Sequence, residues 1–154
     1  MKKGIIALTV SFLAVSAAAQ QPVSADRFAD AVNHWNKEHG AQTYERYKPD
    51  RFREIADNIV AYQNADGGWP KNLDMLARLD PDSVKAALKP RHRLSTLDNA
   101  NVYTQVEYLS NVYLLTGDTL YRNSARRGME YMLSAQYPNC LLYTSPSPRD
   151  GLLS

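Results

Sequence analysis

The stretch "DNANVYTQVEYLSNVYLLTGDTLYRNSARRGMEYMLSAQ", Asp98 to Gln136, decides the fold class. Its first part carries apolar residues at the spacing of one helix face: Val102, Val106, Leu109 and Tyr113. Gly117 and Asp118 follow, and they predict a turn because glycine suits the end of one helix and aspartate the N-cap of the next. The second part carries another helical stripe: Leu120, Ala125, Met129 and Met132. The stretch therefore predicts a hairpin of two helices.

The residues before this hairpin also show helical periodicity. Two segments carry apolar stripes, with Phe28, Val32 and Trp35 in the first and Phe52, Ile55, Ile59 and Tyr62 in the second. A weaker helix is predicted between Asp74 and Lys89, broken by Pro81, and a basic loop follows over residues 89–97. The sequence does not show the alternation typical of strands, so it predicts an all-α fold.

A faint internal repeat suggests how the helices are arranged. The helix that carries Ile55 ends in "VAYQNADGGWP", and the helix that carries Met129 ends in the similar "LSAQYPN". Sequential helical hairpins with such self-similarity stack into solenoids or close into a toroid.

The N-terminal residues have the layout of a secretory signal peptide. Lys2 and Lys3 give a basic start, an apolar run follows, and Ala17 to Ala19 offer a small-residue cleavage site. The apolar run is short for a spanning helix, which argues against a stable membrane anchor. We therefore expect residues 1–19 to be a signal peptide and the mature protein to be secreted or periplasmic.

The C-terminal residues do not continue the helical pattern. The segment "CLLYTSPSPRD", Cys140 to Asp150, has no periodicity, and its reverse translation resembles the read-through of a sequencing adapter. A linker rich in serine and proline is the alternative. We expect residues 140–154 to be a non-native tail and residues 20–139 to be the native mature part.

Charge and cysteine content argue against two classes of protein. The formal net charge is +2, but Lys2 and Lys3 supply this excess, and Arg149 balances Asp150 in the tail. Residues 20–139 are then neutral by formal count, so we expect no nucleic-acid partner. The single cysteine, Cys140, lies in the expected tail, which leaves no disulfide framework and no thiol chemistry in the native part.

A first candidate site is the loop "YQNADGGWPKN", Tyr62 to Asn72. Its glycines allow a sharp turn or a close approach to a ligand. Trp69 could stack on a sugar ring, and Lys71 and Asn72 add a cation and an amide suited to an acidic sugar. The alternative is a helix-capping loop whose tryptophan packs in the core.

A second candidate site is "STLDNANVYTQ", Ser95 to Gln105. Asp98, Asn99 and Asn101 offer the hard oxygen ligands that calcium takes, although one carboxylate is not a complete site. The alternative is that Ser95, Thr96, Asp98 or Asn99 caps the helix that follows. Two further sets are assigned to surface or packing: the histidines, which lack metal-ligand spacing (His34, His39 and His92), and a solvated helix face of arginines (Arg122, Arg126 and Arg127).

Both motifs, in this order, resemble those of the pectate lyases of polysaccharide lyase family 10. The resemblance rests on "QNADGGWPKN", "STLDNANVYTQVEYLSNVYLLTGD" and "YRNSARRGMEYMLSAQYPN", and it extends over residues 29–139. It implies that residues 20–139 are the N-terminal part of a lyase catalytic domain. The implied fold is an incomplete α/α toroid built from helical hairpins.

The resemblance also implies a chemistry. The substrate would be polygalacturonate, the acidic backbone of pectin, cleaved by β-elimination with Ca²⁺ bridging the enzyme and a uronate carboxylate. Asp98 and Asn99 would belong to the calcium site, and Trp69, Lys71 and Asn72 would line the groove. The base in the family is an arginine further downstream that no residue here matches, so we expect a monomeric fragment without a complete active site.

Two other functions remain open from the sequence. One is a helical module that binds pectin or another sugar without cleaving it. The other is a glycoside hydrolase, which needs paired carboxyl groups facing one cavity, and Asp66 and Asp98 are the candidates for that pair.

Overall fold

The structure is a computed structural model that describes residues 23–40 and 44–136. Within these ranges the α-helices are α1 (Ala29–Glu38), α2 (Phe52–Tyr62), α3 (Pro81–Ala87), α4 (Tyr103–Thr116) and α5 (Thr119–Ser134). Short 3₁₀ turns lie at Asp26–Phe28, Pro90–Arg93 and Asp98–Ala100. Isolated β-bridges join Arg46 to Ala77 and Pro70 to Ser95. The predicted all-α fold class is confirmed.

Helices α4 and α5 form the predicted hairpin. Gly117 ends α4 in the left-handed conformation, with φ of 69°, and its N–H donates to the Tyr113 carbonyl. Asp118 caps α5, because its Oδ1 accepts a hydrogen bond of 2.9 Å from the Leu120 N–H. The turn therefore follows local rules of glycine and aspartate that are visible in the sequence.

The core lies between this hairpin and α2. Ile55 and Ile59 of α2 are fully buried, as are Leu109 and Val112 of α4. Trp69 enters the same core from the loop after α2. Gly128 of α5 makes room for it, because a Cβ atom at this position would lie 2.7 Å from Trp69 Cζ3.

The end of α2 is tied to α5 by buried polar groups. Gln63 donates to the carbonyls of Gly67 and Ser124 at 2.8 and 2.9 Å, and its Oε1 accepts from the Ser124 hydroxyl at 2.8 Å. The guanidinium of Arg127 also donates to Gln63 Oε1, through Nε at 3.0 Å. Arg127 is exposed, as expected for a solvated helix face, and its guanidinium also contacts Gln63.

The segment before α3 differs from the sequence prediction. Residues 74–79 are irregular, and Pro81 begins α3 rather than breaking a helix, with Asp80 as the N-cap that accepts from the Ser83 N–H at 2.9 Å. Buried Asp74 fixes the irregular segment, because Arg46 Nε donates to its Oδ2 at 2.6 Å. Proline suits the first turn of a helix because its missing N–H has no helical partner there.

Two predicted regions lie outside the described residues, namely the signal peptide at 1–19 and the tail at 140–154. In the part of the chain that the structure describes, none of the helices combines the length and apolarity needed to cross a membrane.

Candidate functional site

The two candidate loops lie side by side. A β-bridge joins Pro70 to Ser95, and the Thr96 N–H donates to the Trp69 carbonyl at 3.3 Å. Asn101 holds the two loops together, because its Nδ2 donates to the carbonyls of Trp69 and Thr96 at 2.6 and 2.8 Å. This buried amide holds the first loop in a fixed position against the second.

This arrangement brings Lys71 and Asp98 into contact. Lys71 Nζ lies 2.7 Å from Asp98 Oδ2, and the two side chains are 40% and 45% exposed. An ion pair this open to water contributes little to folding stability, on the order of 1 kcal/mol or less. A charged ligand could therefore replace one partner at low cost.

The backbone beside this pair is strained. Asn72, Asn99, Ala100 and Val102 all have positive φ, between 56° and 72°. The conformation is least suited to Val102, whose branched Cβ crowds the backbone, and each such residue costs about 1–3 kcal/mol. Strain of this kind is held by surrounding contacts and clusters at ligand sites, so these positions mark the loops as a candidate functional site.

A shallow cleft with a volume of about 20 Å³ lies over these loops. Its charged and polar lining comes from the N-terminal segment, from both loops and from the start of α4: Arg27, Asp30, Lys71, Asn72, Asp98, Asn99, Asn101, Thr104 and Gln105. We call this set the cleft. Both signs of charge are present, with Arg27 and Lys71 as cations and Asp30 and Asp98 as anions. The cleft can therefore contact both the carboxylates and the hydroxyls of an acidic sugar.

Trp69 does not line the cleft with its ring. The side chain is 0% exposed, and its indole Nε1 donates to the Ile59 carbonyl at 2.6 Å. That carbonyl is free because the Gln63 N–H bonds to Val60 instead. Trp69 thus closes the C-terminal end of α2 from inside the core. This is the core-packing alternative, and it leaves no ring face for a sugar.

The capping alternative for the second loop is not realised. Helix α4 begins at Tyr103, and its N-cap position is Val102, which has no side-chain cap. Asp98 instead begins the 3₁₀ turn four residues earlier, where its N–H donates to the Thr96 hydroxyl at 3.1 Å. The carboxylate of Asp98 is therefore free of a helix-capping role and faces Lys71.

The residues of the cleft do not by themselves form a calcium site. Within residues 23–40 and 44–136, the acidic, histidine and cysteine side chains nowhere gather three together in a way that could hold a metal ion. Asp98 offers one carboxylate, and the nearest charged group is the ammonium of Lys71. Calcium takes six to eight oxygen ligands, so most would have to come from a substrate or from other parts of the protein.

Asp66 does not join Asp98 in the cleft. Its Oδ1 accepts from the Gly68 N–H at 3.0 Å and from the Ser95 hydroxyl at 2.7 Å, which closes the glycine turn. Asp66 is also not among the residues that line the cleft. The structure therefore gives no support to a hydrolase pair of Asp66 and Asp98.

Sequence reasoning missed Gln105. This residue is 3% exposed, and its Nε2 donates to Asn101 Oδ1 at 2.7 Å. Its own Oε1 is buried without a hydrogen-bond partner among the described residues. The helical i,i+4 rule does not predict this contact, because Asn101 lies before α4 in non-helical backbone. Arg27 and Asp30 were also missed, and nothing local predicts that the N-terminal segment reaches the cleft.

Comparison with known proteins places these loops in a family. Residues 63–144 match the model of the pectic acid lyase family, a match that covers more than half of the chain and includes Lys71 and Asp98. The chain belongs to the pectic acid lyase family. The resemblance drawn from the two motifs is thereby confirmed. No curated protein matches the chain significantly in sequence.

Solved structures that resemble the chain include two family 10 polysaccharide lyases from Cellvibrio cellulosa. One is an aspartate-to-alanine mutant in complex with trigalacturonic acid, with 23% identity, a TM-score of 0.46, and coverage of 82% of this chain and 35% of that chain. The other has 24% identity, a TM-score of 0.46, and coverage of 82% and 34%. The chain thus spans about a third of the length of these structures.

Proposed function

We propose that this chain is the N-terminal part of a pectate lyase that cleaves polygalacturonate by β-elimination. The observation that carries the proposal is the Lys71–Asp98 pair in an open cleft, within the segment that matches the pectic acid lyase family. In the whole protein we expect further helical hairpins to complete an α/α toroid around this cleft. We also expect the enzyme to be secreted or periplasmic and to act as a monomer.

Lys71 and Asn72 are proposed to bind the substrate. A uronate carboxylate would accept hydrogen bonds from the Lys71 ammonium in place of Asp98, which exchanges one anion for another. Asn72 adds an amide at the same edge of the cleft. Its Nδ2 lies 3.4 Å from Glu38 Oε1, a weak contact that a sugar hydroxyl can replace.

Asp98 and Asn99 are proposed to contribute oxygen ligands to calcium when the substrate is bound. Because the described residues lack a complete ligand set, we expect calcium affinity to depend on the uronate carboxylates. Displacement of Lys71 from Asp98 by the substrate would free the Asp98 carboxylate for the cation. Binding of calcium and of the sugar should therefore be coupled.

The reaction itself needs a base that the described residues do not supply. β-Elimination removes the proton from C5 of a uronate and breaks the bond between C4 and the glycosidic oxygen, which leaves an unsaturated sugar. In the described part of the chain, Arg126 is paired with Glu130 at 2.7 Å and Arg127 is held by Gln63. We therefore expect the base arginine elsewhere in the whole protein.

Titration calorimetry of trigalacturonate, with and without Ca²⁺, tests this assignment. Asp98→Asn should abolish the enhancement of sugar binding by calcium, whereas Asp82→Asn, an exposed control on α3, should leave it unchanged. Lys71→Met should weaken sugar binding by about ten- to a hundredfold, since one charge-assisted hydrogen bond contributes roughly 1.5–3 kcal/mol. Equal behaviour of Asp98→Asn and Asp82→Asn would remove Asp98 from the site.

The second candidate function is a sugar-binding module without turnover. The cations and amides that line the cleft favour it, because they suit binding of an acidic sugar without any reaction. The two functions differ in one observable, since only the lyase releases an unsaturated product.

A further inference from the structure

A second cavity lies beside the cleft and is rich in basic side chains. Its lining comes from the end of α1 and from the segment after α3: Glu38, His39, Ala87, Leu88, Lys89, Arg91 and His92. We call this set the basic pocket. Neither candidate loop contributes to it, and the sequence analysis assigned its histidines only to surface or packing.

A side chain that lines the basic pocket contacts a side chain that lines the cleft. Glu38 connects them, because its Oε1 lies 3.4 Å from Asn72 Nδ2 and its Oε2 lies 3.9 Å from His92 Nδ1. Asn72 lines the cleft, and His92 lines the basic pocket. A chain-like ligand bound at Lys71 can therefore extend past Asn72 toward His92 without leaving the surface.

The cations of the basic pocket are available to a ligand. Lys89 and Arg91 are exposed, and within the described ranges neither has an acidic side chain at ion-pair distance. Arg91 Nε instead lies 2.9 Å from His92 Nε2, which leaves the remaining guanidinium N–H groups free to donate to an anion. Glu38 is the single acidic residue of the pocket, and the contacts with Asn72 and His92 already engage it.

The backbone beneath these cations is fixed. Arg93 donates from Nε to the Leu88 carbonyl at 2.8 Å and from Nη2 to the Ala86 carbonyl at 2.8 Å. These bonds hold the 3₁₀ turn Pro90–Arg93 against the end of α3. Leu88, which is 8% exposed, belongs to the buried core and anchors this segment of backbone. The backbone that carries Lys89 and Arg91 is thus held in place before a ligand binds.

We propose that the basic pocket is an additional subsite for the polyuronate chain, which binds the carboxylate of a galacturonate residue remote from Lys71 and Asp98. This inference rests on the proposed function, because it needs an acidic chain that begins in the cleft. Contacts of this subsite are independent of calcium, since Lys89 and Arg91 bind the carboxylate directly.

Binding of oligogalacturonates of two lengths to the full chain, in a chelating buffer, tests the inference. The double variant Lys89→Ala with Arg91→Ala should bind hexagalacturonate about tenfold more weakly, the effect of two exposed charge contacts. Its affinity for trigalacturonate should change less than about twofold, because the short sugar fills the cleft alone. Salt at about 1 M should remove the difference between variant and wild type, since exposed charges are then screened.

The matched control removes two exposed cations elsewhere, with Lys48→Ala and Arg122→Ala, neither of which lines the cleft or the basic pocket. It should bind both sugars as the wild type does. Equal losses for the two sugars in the Lys89 and Arg91 variant, or equal losses in the control, would overturn the subsite. Failure of the wild type to bind either sugar, with and without calcium, would instead overturn the proposed function and the subsite with it.

Discussion

Replacement of Trp69 by phenylalanine tests whether this residue belongs to the core or to the sugar-binding surface. The change removes the 2.6 Å hydrogen bond from the indole to the Ile59 carbonyl, at a position that is 0% exposed. A buried carbonyl left without its partner costs about 1–3 kcal/mol. The smaller ring leaves unfilled volume against Gly128, which costs about 1–2 kcal/mol more. We expect the free energy of unfolding to fall by about 2–5 kcal/mol in total.

The matched control is Trp35→Phe. Trp35 is also buried, at 5% exposure, but its Nε1 has no hydrogen-bond partner among the described residues. In this control only packing is lost, so the free energy of unfolding should fall by about 1–2 kcal/mol. The difference between the two variants isolates the hydrogen bond that closes α2.

Urea unfolding followed by circular dichroism measures both free energies, and titration calorimetry measures affinity for trigalacturonate under native conditions. We expect Trp69→Phe to lose more stability than Trp35→Phe and to retain its sugar affinity. The reasoning is refuted if Trp69→Phe is as stable as the wild type, or if it loses sugar affinity without losing stability.

Two further predictions concern stability. Gly67→Ala should lower the free energy of unfolding by about 2–3 kcal/mol, because φ is +91° and a Cβ would lie 2.4 Å from the Arg127 carbonyl oxygen. A urea titration measures this loss. Gly40→Ala is the control, because a Cβ at Gly40 would meet no atom within 4 Å. Burial raises the pKa of Tyr62 from 10.0 to about 12, so its neutral phenol stabilises the fold below pH 10 and this contribution is lost as the pH rises toward 12. Tyr62→Phe should therefore flatten the loss of stability between pH 10 and 12 in alkaline unfolding curves, and an unchanged slope would contradict the assigned pKa.

The sequence predicts the parts of the fold that follow local rules. The α4–α5 hairpin is one, because Gly117 ends α4 and Asp118 caps α5 without help from distant residues. Pro81 shows the limit of such rules, since proline both breaks helices and begins them. The choice between these outcomes depended on Asp80, whose side chain caps α3.

The candidate site was predictable in composition but not in geometry. Lys71 and Asp98 were both expected at the site, yet their contact joins residues 27 positions apart and needs the loops to pack together. The burial of Trp69 depends on the space that Gly128 leaves on α5, which no pattern near Trp69 encodes. The positive φ of Val102 likewise follows from contacts between loops, because a valine alone avoids it.

The most direct measurement of the central claim is the ultraviolet absorbance of products when the whole protein acts on polygalacturonate with calcium. We expect a steady rise in absorbance from the unsaturated sugar and loss of this rise on chelation. Asp98→Asn should lower the rate at least about a hundredfold, the scale of removing one transition-state charge contact. Binding of polygalacturonate without any rise would favour the non-catalytic module. New reducing ends without ultraviolet absorbance would contradict β-elimination outright.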